Sequence, residues 1–423
     1  MFKKSVVFLT VLIVAAVGGQ FFSQYQYQRQ VEQLATKLNE QHAWHYQQKL
    51  ISKDWFTRQE QWQIEGNFAD LGLESQAFTI MLQHKISFWP LWLSGEWQVD
   101  ENQGDYQQWL QSNQLTSIPH LGQWQANLLT QNLKQSLSID SFEHNYSQVD
   151  LYFHPLVITS NSDLDFAKGT ARLNWQGMEL DDNSQNGDHI HLQQVSATEQ
   201  FSQRQGWTLV ESANWSIEQL TLQLEQGNTL LALQNLVVSN QFSEQQQRAF
   251  MSVDSSLGQF NFKEAQQRFT LNELVLTSKI GGVPMQSLVT LAGANQTQRS
   301  EQDLDGMVQQ LVSQGLEWQL EQLALKINSN FQDLAMVGDI KLSGNAKLLP
   351  FELNAVNSPL QLLRYLDLNV ELDANDSLFN YSPLSAYIMA LRSAGYLIHQ
   401  DGRDQSKLIF NDSEFTMNSL PVN

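Results

Sequence analysis

The chain has no cysteine in its 423 residues. Disulfides, thiolate metal centres and cysteine nucleophiles are therefore excluded. Basic residues are also few: 24 Lys and Arg stand against 44 Asp and Glu, a net charge of −20. Binding a phosphate backbone needs clustered cations, so no nucleic-acid partner is expected. No Gly-Lys dipeptide occurs, which removes the standard phosphate loop. Gly-x-Gly-x-x-Gly, Gly-x-Ser-x-Gly and His-Glu-x-x-His are missing as well. Charged residues make up only 16% of the chain and hydrophobic ones 42%, so the body can fold. Its polarity comes largely from glutamine, at about one residue in eight, above ordinary usage.

The longest uncharged run lies at the start. Lys3 and Lys4 precede Ser5 to Phe22, whose apolar centre is Val6 to Val17. Cationic residues before such a run predict an N-terminus inside and an exported chain. The run is at the short limit for a spanning helix. A cleaved signal peptide is the alternative, with Ala16 and Gly18 at the spacing of a cleavage site. The apolar character continues past that point into Gly19, Phe21 and Phe22, and Tyr25 and Tyr27 suit an aromatic interface belt. A signal anchor over residues 1–22 is therefore the preferred expectation, with the bulk of the chain outside the cytoplasm. Residues 23–56 read as a stalk or linker, with Val31, Leu34, Leu38 and Trp44 at loosely helical spacing within 28–52. A helix packed on the following domain is the competing reading.

From about residue 58 the period becomes two. Trp62 and Ile64 alternate with Gln61, Gln63 and Glu65, and Leu93, Trp97 and Val99 belong to another such run. Alternation predicts strands with one buried and one wet face. A more specific pattern recurs: an alternating apolar pair, two polar residues, then a second alternating pair. Trp215, Ile217, Glu218-Gln219, Leu220, Leu222 is nearly copied by Trp318, Leu320, Glu321-Gln322, Leu323, Leu325. Looser copies are Ile190/Leu192/Val195/Ala197, Leu231/Leu233/Leu236/Val238 and Phe269/Leu271/Leu274/Leu276. A two-residue spacer would move the second pair to the opposite face of a regular strand, and a β-bulge would keep both on one face. The expected fold is thus mainly β with few helices: a long curved antiparallel sheet of bulged strands over residues 57–423, with two subdomains divided near residue 200. Turns are expected at Asn186-Gly187, Gly227-Asn228 and Asp401-Gly402.

Short helices are expected over 304–316, from Ser358-Pro359 to Leu366, and from Ser382-Pro383 to a stop at Gly395. A strand meander then closes the chain, so that 382–423 forms a helix-and-strand subdomain.

The stretch Met389-Ala390-Leu391, Gly395-Tyr396-Leu397, Asp401-Gly402 and Phe415-Thr416-Met417-Asn418-Ser419-Leu420-Pro421 resembles the C-terminus of the YdgA/YihF-like family of bacterial envelope proteins, domain of unknown function 945. The cationic start, single apolar segment, polar stalk and long β-rich body are similar to that family throughout. Ile86-Ser87-Phe88-Trp89-Pro90-Leu91 keeps half of a family motif, with Phe88-Trp89 in place of His-Gly. The resemblance implies an exported, membrane-anchored protein and carries over no catalytic residue.

Chemistry-bearing constellations are sparse. His189 and His191 would share a strand face and are the best metal candidates, near Asp181, Asp182 and Asp188. The alternative is a polar turn followed by two solvent-facing histidines. Residues from Asp182 onward also resemble a calcium loop, but Gln193 stands where the bidentate glutamate is required. Asp373 and Asp376 form a carboxylate pair whose neighbours Asn375 and Ser377 favour a loop. No metal, cofactor or catalytic residue is assigned. The aromatic cluster Phe88, Trp89, Trp92 and Trp97 reads either as core or as a hydrophobic ligand or membrane patch. Three functions follow in order: a non-enzymatic envelope protein holding lipid or another hydrophobic ligand on its sheet, a structural or adaptor protein binding an envelope partner, and a metal-dependent hydrolase using the two histidines.

Overall fold

The computed structural model describes residues 2–40, 45–67, 77–184, 187–204, 207–224, 229–264, 267–288, 306, 308–309, 311–331, 334–355, 359–379, 385–411 and 413–422. Strand is the dominant element, and every pair of strands detailed below runs antiparallel, as the alternation predicts. The chain divides into two compact units, Met1–Gln176 and Gly177–Asn423.

Unit 1 opens with helix α1 (Phe2–Glu40). Among the described residues no helix is long and apolar enough to cross a membrane. The strands that follow are β1 (His45–Lys53), β2 (Thr57–Asn67), β3 (Ala77–Trp89) and β4 (Trp92–Val99), then helix α2 (Gly104–Ser112). After them come β5 (His120–Asn127), β6 (Asn132–Ile139), β7 (Phe142–Tyr146), β8 (Val149–Phe153), β9 (Leu156–Asp163) and β10 (Lys168–Asp182). Strands β1 to β6 pair in sequence order, β6 pairs with β9 and β9 with β10, while β7 and β8 form a hairpin. The helix expected to reach residue 52 ends at Glu40, and His45–Lys53 is a strand. Its pairing with β2 gives that segment more hydrogen bonds than an isolated stalk helix in water could keep. Nor is α1 a free stalk beyond residue 19, because Tyr27 and Val31 are buried with Tyr46, Ile86, Phe88, Leu93, Ala126 and Leu128 in the core of the unit.

Unit 2 is built on longer strands. Those are β11 (His189–Arg204), β12 (Trp207–Leu224), β13 (Thr229–Gln245), β14 (Arg248–Glu264), β15 (Gln267–Pro284), β16 (Leu316–Phe331) and β17 (Leu334–Leu348). Each has 15 to 18 residues, about three times the usual length. They pair consecutively and hand on to β18 (Leu366–Asn375), which pairs with β20 (Arg403–Asn411). The expected closing meander is present as α3 (Ser385–Ser393), β19 (Ile398–Gln400), β20, β21 (Glu414–Met417) and β22 (Leu420–Pro421). Gly395 ends α3 with φ +77, and Asp401-Gly402 makes the turn with φ of 52 and 75. The segment after Ser358 forms a 3-10 helix, Pro359–Tyr365. Within the helix expected over 304–316, Gly306, Val308, Gln309, Leu311 and Val312 are helical, whereas Asn186 and the turn at Gly227-Asn228 lie outside the described residues.

The recurring spacer takes two forms. Across β11 to β15 the pairs on either side of Gln194, Glu218, Asn235, Gly258 and Glu273 keep one register, while those residues themselves are left unpaired. Gln194, Asn235 and Glu273, on alternate strands, take the left-handed conformation with φ of 44, 53 and 51. Because the spacers line up from strand to strand, no strand has to accommodate an extra residue at that level; the ladders shift register elsewhere, at Gln200/Phe201 and Ala249/Phe250. At β15–β16 and β16–β17 the register does shift, next to Asn272 and Glu321-Gln322, which is the expected bulge.

The same crease reaches Gly177, whose φ is +118. A Cβ there would lie 1.9 Å from the Leu192 carbonyl oxygen. Replacing Gly177 by alanine is expected to cost about 2 kcal/mol or more, read as a lower urea midpoint at unchanged slope.

Candidate functional site

The densest group of buried polar side chains in unit 1 lies between α1 and strands β2, β3 and β5. Glu60, Trp62 and Ile64 alternate toward the helix, so Glu60 occupies a position that the pattern reserves for apolar residues. Its side chain is fully buried, and three partners compensate it. Tyr27 Oη donates to Oε2 at 2.7 Å and Trp62 Nε1 to the same oxygen at 2.9 Å. The Arg58 guanidinium pairs with Oε1. Arg58 Nη1 also donates to Gln28 Oε1 at 3.0 Å, and its carbon sits 5.8 Å from the centre of the Tyr27 ring. Burial, with the Glu60 carboxylate close by, pushes the Tyr27 and Tyr46 hydroxyls well above their ordinary range.

His84 lies on the neighbouring strand, opposite Glu60 in register and 3% exposed. Trp124 Nε1 donates to its Nε2 at 2.8 Å, so that nitrogen is an acceptor and the ring is neutral. Burial depresses its pKa from 6.5 to about 4, against the opposing pull of Glu60. Gly95 makes room for this contact: a Cβ there would lie 2.3 Å from Trp124 Nε1. A cavity of about 520 Å³ borders Glu60 and His84 and is lined as well by Lys85, Glu96 and Asp100, by amides such as Gln83, and by Ile51 and Trp97. Glu60 and His84 are 2% and 3% exposed, and Glu60 Oε1 and His84 Nδ1 are closed to solvent. The arrangement ties a helix to a sheet.

The four aromatics expected to act together are separated. Phe88 is buried in the core of the unit. Trp89 and Trp92 pair at the β3–β4 turn and are exposed. Trp97 is half-buried over Gly122, where a Cβ would lie 1.9 Å from its indole. Alternation accounts for the split between Phe88 and Trp89, since adjacent residues of a strand face opposite ways.

In unit 2, His189 Nδ1 lies 2.7 Å from Asp181 Oδ1 and is exposed. His191 follows on the same strand, opposite Thr221. Among the described residues no three His, Asp or Glu side chains are grouped to hold a metal ion. Asp373 is in β18 and not in a loop, while Asp376 begins a 3-10 turn in which Asn375 Oδ1 accepts from the Ser377 amide. Asp373 accepts from Arg403 Nε at 2.6 Å, and Arg403 grips Asp339 with two further bonds of 3.0 and 2.9 Å. That guanidinium holds the Asp339 carboxyl below its ordinary range. Beside it, Arg392 binds the buried Asp404 at 2.8 and 2.6 Å. Asp373 is thus committed to Arg403, while Asp376 Oδ2 lies 3.8 Å from His399 Nε2; Arg403 and Arg392 cross-link β17, β18, β20 and α3. Sequence reasoning passed over Arg58, Glu60, Arg392, Arg403 and Asp404. Only Glu60 left a signal, as a charge in phase with Trp62 and Ile64.

The model of the family described as "Bacterial protein of unknown function (DUF945)" matches residues 2–418. The chain belongs to the DUF945 family. Comparison with curated proteins and with solved structures finds no match. The family is bacterial and of unknown function, and the C-terminal motif residues of this DUF945 protein form α3 and the final meander.

Two outcomes follow for the buried cluster. Glu60→Ala leaves Arg58 without its carboxylate and is expected to cost about 3–5 kcal/mol in urea unfolding. For His84 the unfolded chain binds the proton more tightly than the folded one. Stability should therefore fall as pH drops from about 6.5 toward 4, by about 3 kcal/mol in all, then level off. His84→Gln should flatten that slope in a pH series of urea midpoints.

Proposed function

We propose that this DUF945 protein is anchored by residues 5–22 in the bacterial inner membrane, carries its β-rich body in the periplasm, and holds a hydrophobic ligand, of which lipid acyl chains are the fitting class, on the apolar face of unit 2. The anchor reading rests on the uncharged run Ser5 to Phe22 behind Lys3 and Lys4.

The ligand reading is carried by one observation, the cross-strand registration of the apolar pairs. Directly opposed residues share a face of a sheet. Leu192, Leu220, Leu233, Phe260, Leu271 and Ile327 are opposed in turn across β11 to β16. Two residues along, Ile190, Leu222, Leu231, Phe262 and Phe269 form a second row on the same face. All these side chains stay partly exposed. Within unit 2, α3 makes no more than marginal contact with β11 to β16. Continuous apolar surface of this kind marks a binding surface in soluble domains.

The test is to extract the full chain in mild detergent and to quantify co-purifying lipid by mass spectrometry against an unrelated anchored protein. Stoichiometric lipid above the control is expected. The double substitution Leu233→Glu, Phe260→Glu should reduce it about ten-fold while leaving the circular-dichroism spectrum unchanged, since burying charge against acyl chains costs more than ~1.4 kcal/mol. Lipid equal to the control would overturn the ligand reading and turn the search to a protein partner, the structural or adaptor role.

A further inference from the structure

Polar side chains of α1 hold the turns at one end of the unit 1 sheet. Gln20 Nε2 donates to the carbonyls of Trp55 and Phe88 at 2.9 and 3.0 Å, and Gln24 Nε2 to Trp55 at 3.0 Å. Ser23 Oγ donates to the Trp89 carbonyl at 2.9 Å and accepts from the Leu91 amide at 3.0 Å. The turns are also bonded to each other. The Phe88 amide donates to Phe56, Leu128 to Leu91, and Leu164 to Gln131, at 2.8, 3.0 and 3.1 Å. The turns β1–β2, β3–β4, β5–β6 and β9–β10 therefore form one rim beside residues 20–24 of α1.

That rim carries large apolar side chains turned to solvent. Trp55 and Phe56 are each 47% exposed, Trp89 55%, Trp92 39%, Leu129 73% and Phe166 45%. Phe21 meets Trp55 edge-on at 5.2 Å, and Phe56 lies 5.4 Å from Trp89. Among the described side-chain positions of α1, Ala15 to Gly18 are exposed, and Gly19 is the first set against the sheet, where a Cβ would lie 3.1 Å from Pro90 Cβ.

We propose that this rim is a membrane-interface seat, in which Trp55, Phe56, Trp89 and Trp92 insert among the lipid headgroups. The inference rests on the anchor reading above. Helix length argues for it. From Ser5 to Gly18 the helix rises only about 21 Å at 1.5 Å per residue, short of the ~30 Å hydrocarbon core. Taking residues up to Phe22 into the bilayer lengthens the run to about 27 Å, close to that thickness, and Gln20 and Ser23 carry the bonded turns in with them. Indoles and phenyl rings with one wet and one dry side suit that depth. The backbone carbonyls there are already paired to α1, so insertion leaves fewer of them unsatisfied.

The test uses the full chain in phosphatidylethanolamine–phosphatidylglycerol vesicles doped with phosphatidylcholine brominated near the carboxyl end of its acyl chains. The wild type should float with the vesicles and show quenched tryptophan fluorescence. The triple substitution Trp55→Phe, Trp89→Phe, Trp92→Phe keeps the apolar surface and removes the reporters, so it should float equally while quenching falls about three-fold. Flotation with quenching that the triple substitution does not change would overturn the seat and leave the anchor standing. Failure of the wild type to float would overturn the anchor reading and the seat with it.

Discussion

Burial of the Glu60 carboxylate organises unit 1. A carboxylate taken out of water needs several donors: Arg58 and Trp62 flank it two residues away on β2, and Tyr27 reaches it from α1. Satisfying it fixes where α1 crosses the sheet. The crossing point brings Gln20, Ser23 and Gln24 over the turns that they bond. Glycines at 95 and 122 then leave room for the indoles of Trp124 and Trp97. A purely apolar contact between helix and sheet would tolerate sliding, whereas this one has a single register.

Unit 2 solves a different problem. Long antiparallel strands accumulate register errors, and a one-residue slip would turn every apolar side chain to the wrong face. The aligned spacers at Gln194, Glu218, Asn235, Gly258 and Glu273 interrupt pairing at one level across five strands. They act as a register mark, since a slipped strand would bring a left-handed residue against a regular pair. At the far end Arg403, bonded to Asp339 and Asp373, and Arg392, bonded to Asp404, tie the closing meander to β17 and β18.

Local pattern made much of this readable in advance. The alternation around Trp62 and Ile64, the spacer copies at Trp215 and Trp318, and the Gly395 and Asp401-Gly402 breaks all correspond to elements that form. Loosely helical spacing over 28–52 corresponds to α1 as far as Glu40, but not to His45–Lys53, where β1 gains its stability from pairing with β2. The aromatic cluster was legible as a composition but not as an arrangement. Phe88 and Trp89 are neighbours in the chain, yet one is 2% and the other 55% exposed.

The residues alone determined the β class of the body, the uncharged N-terminal run, the lack of nucleotide machinery and the positions of the spacers. Those properties depend on short-range periodicity and on which residue types are present at all. Tertiary structure alone decided that Glu60 is compensated, that His84 is neutral, that Asp373 serves an arginine, and that Trp55 and Trp89 share a rim. Each of these depends on which distant segments are brought side by side. That is set by strand register and by the docking of α1, and no window of neighbouring residues contains it.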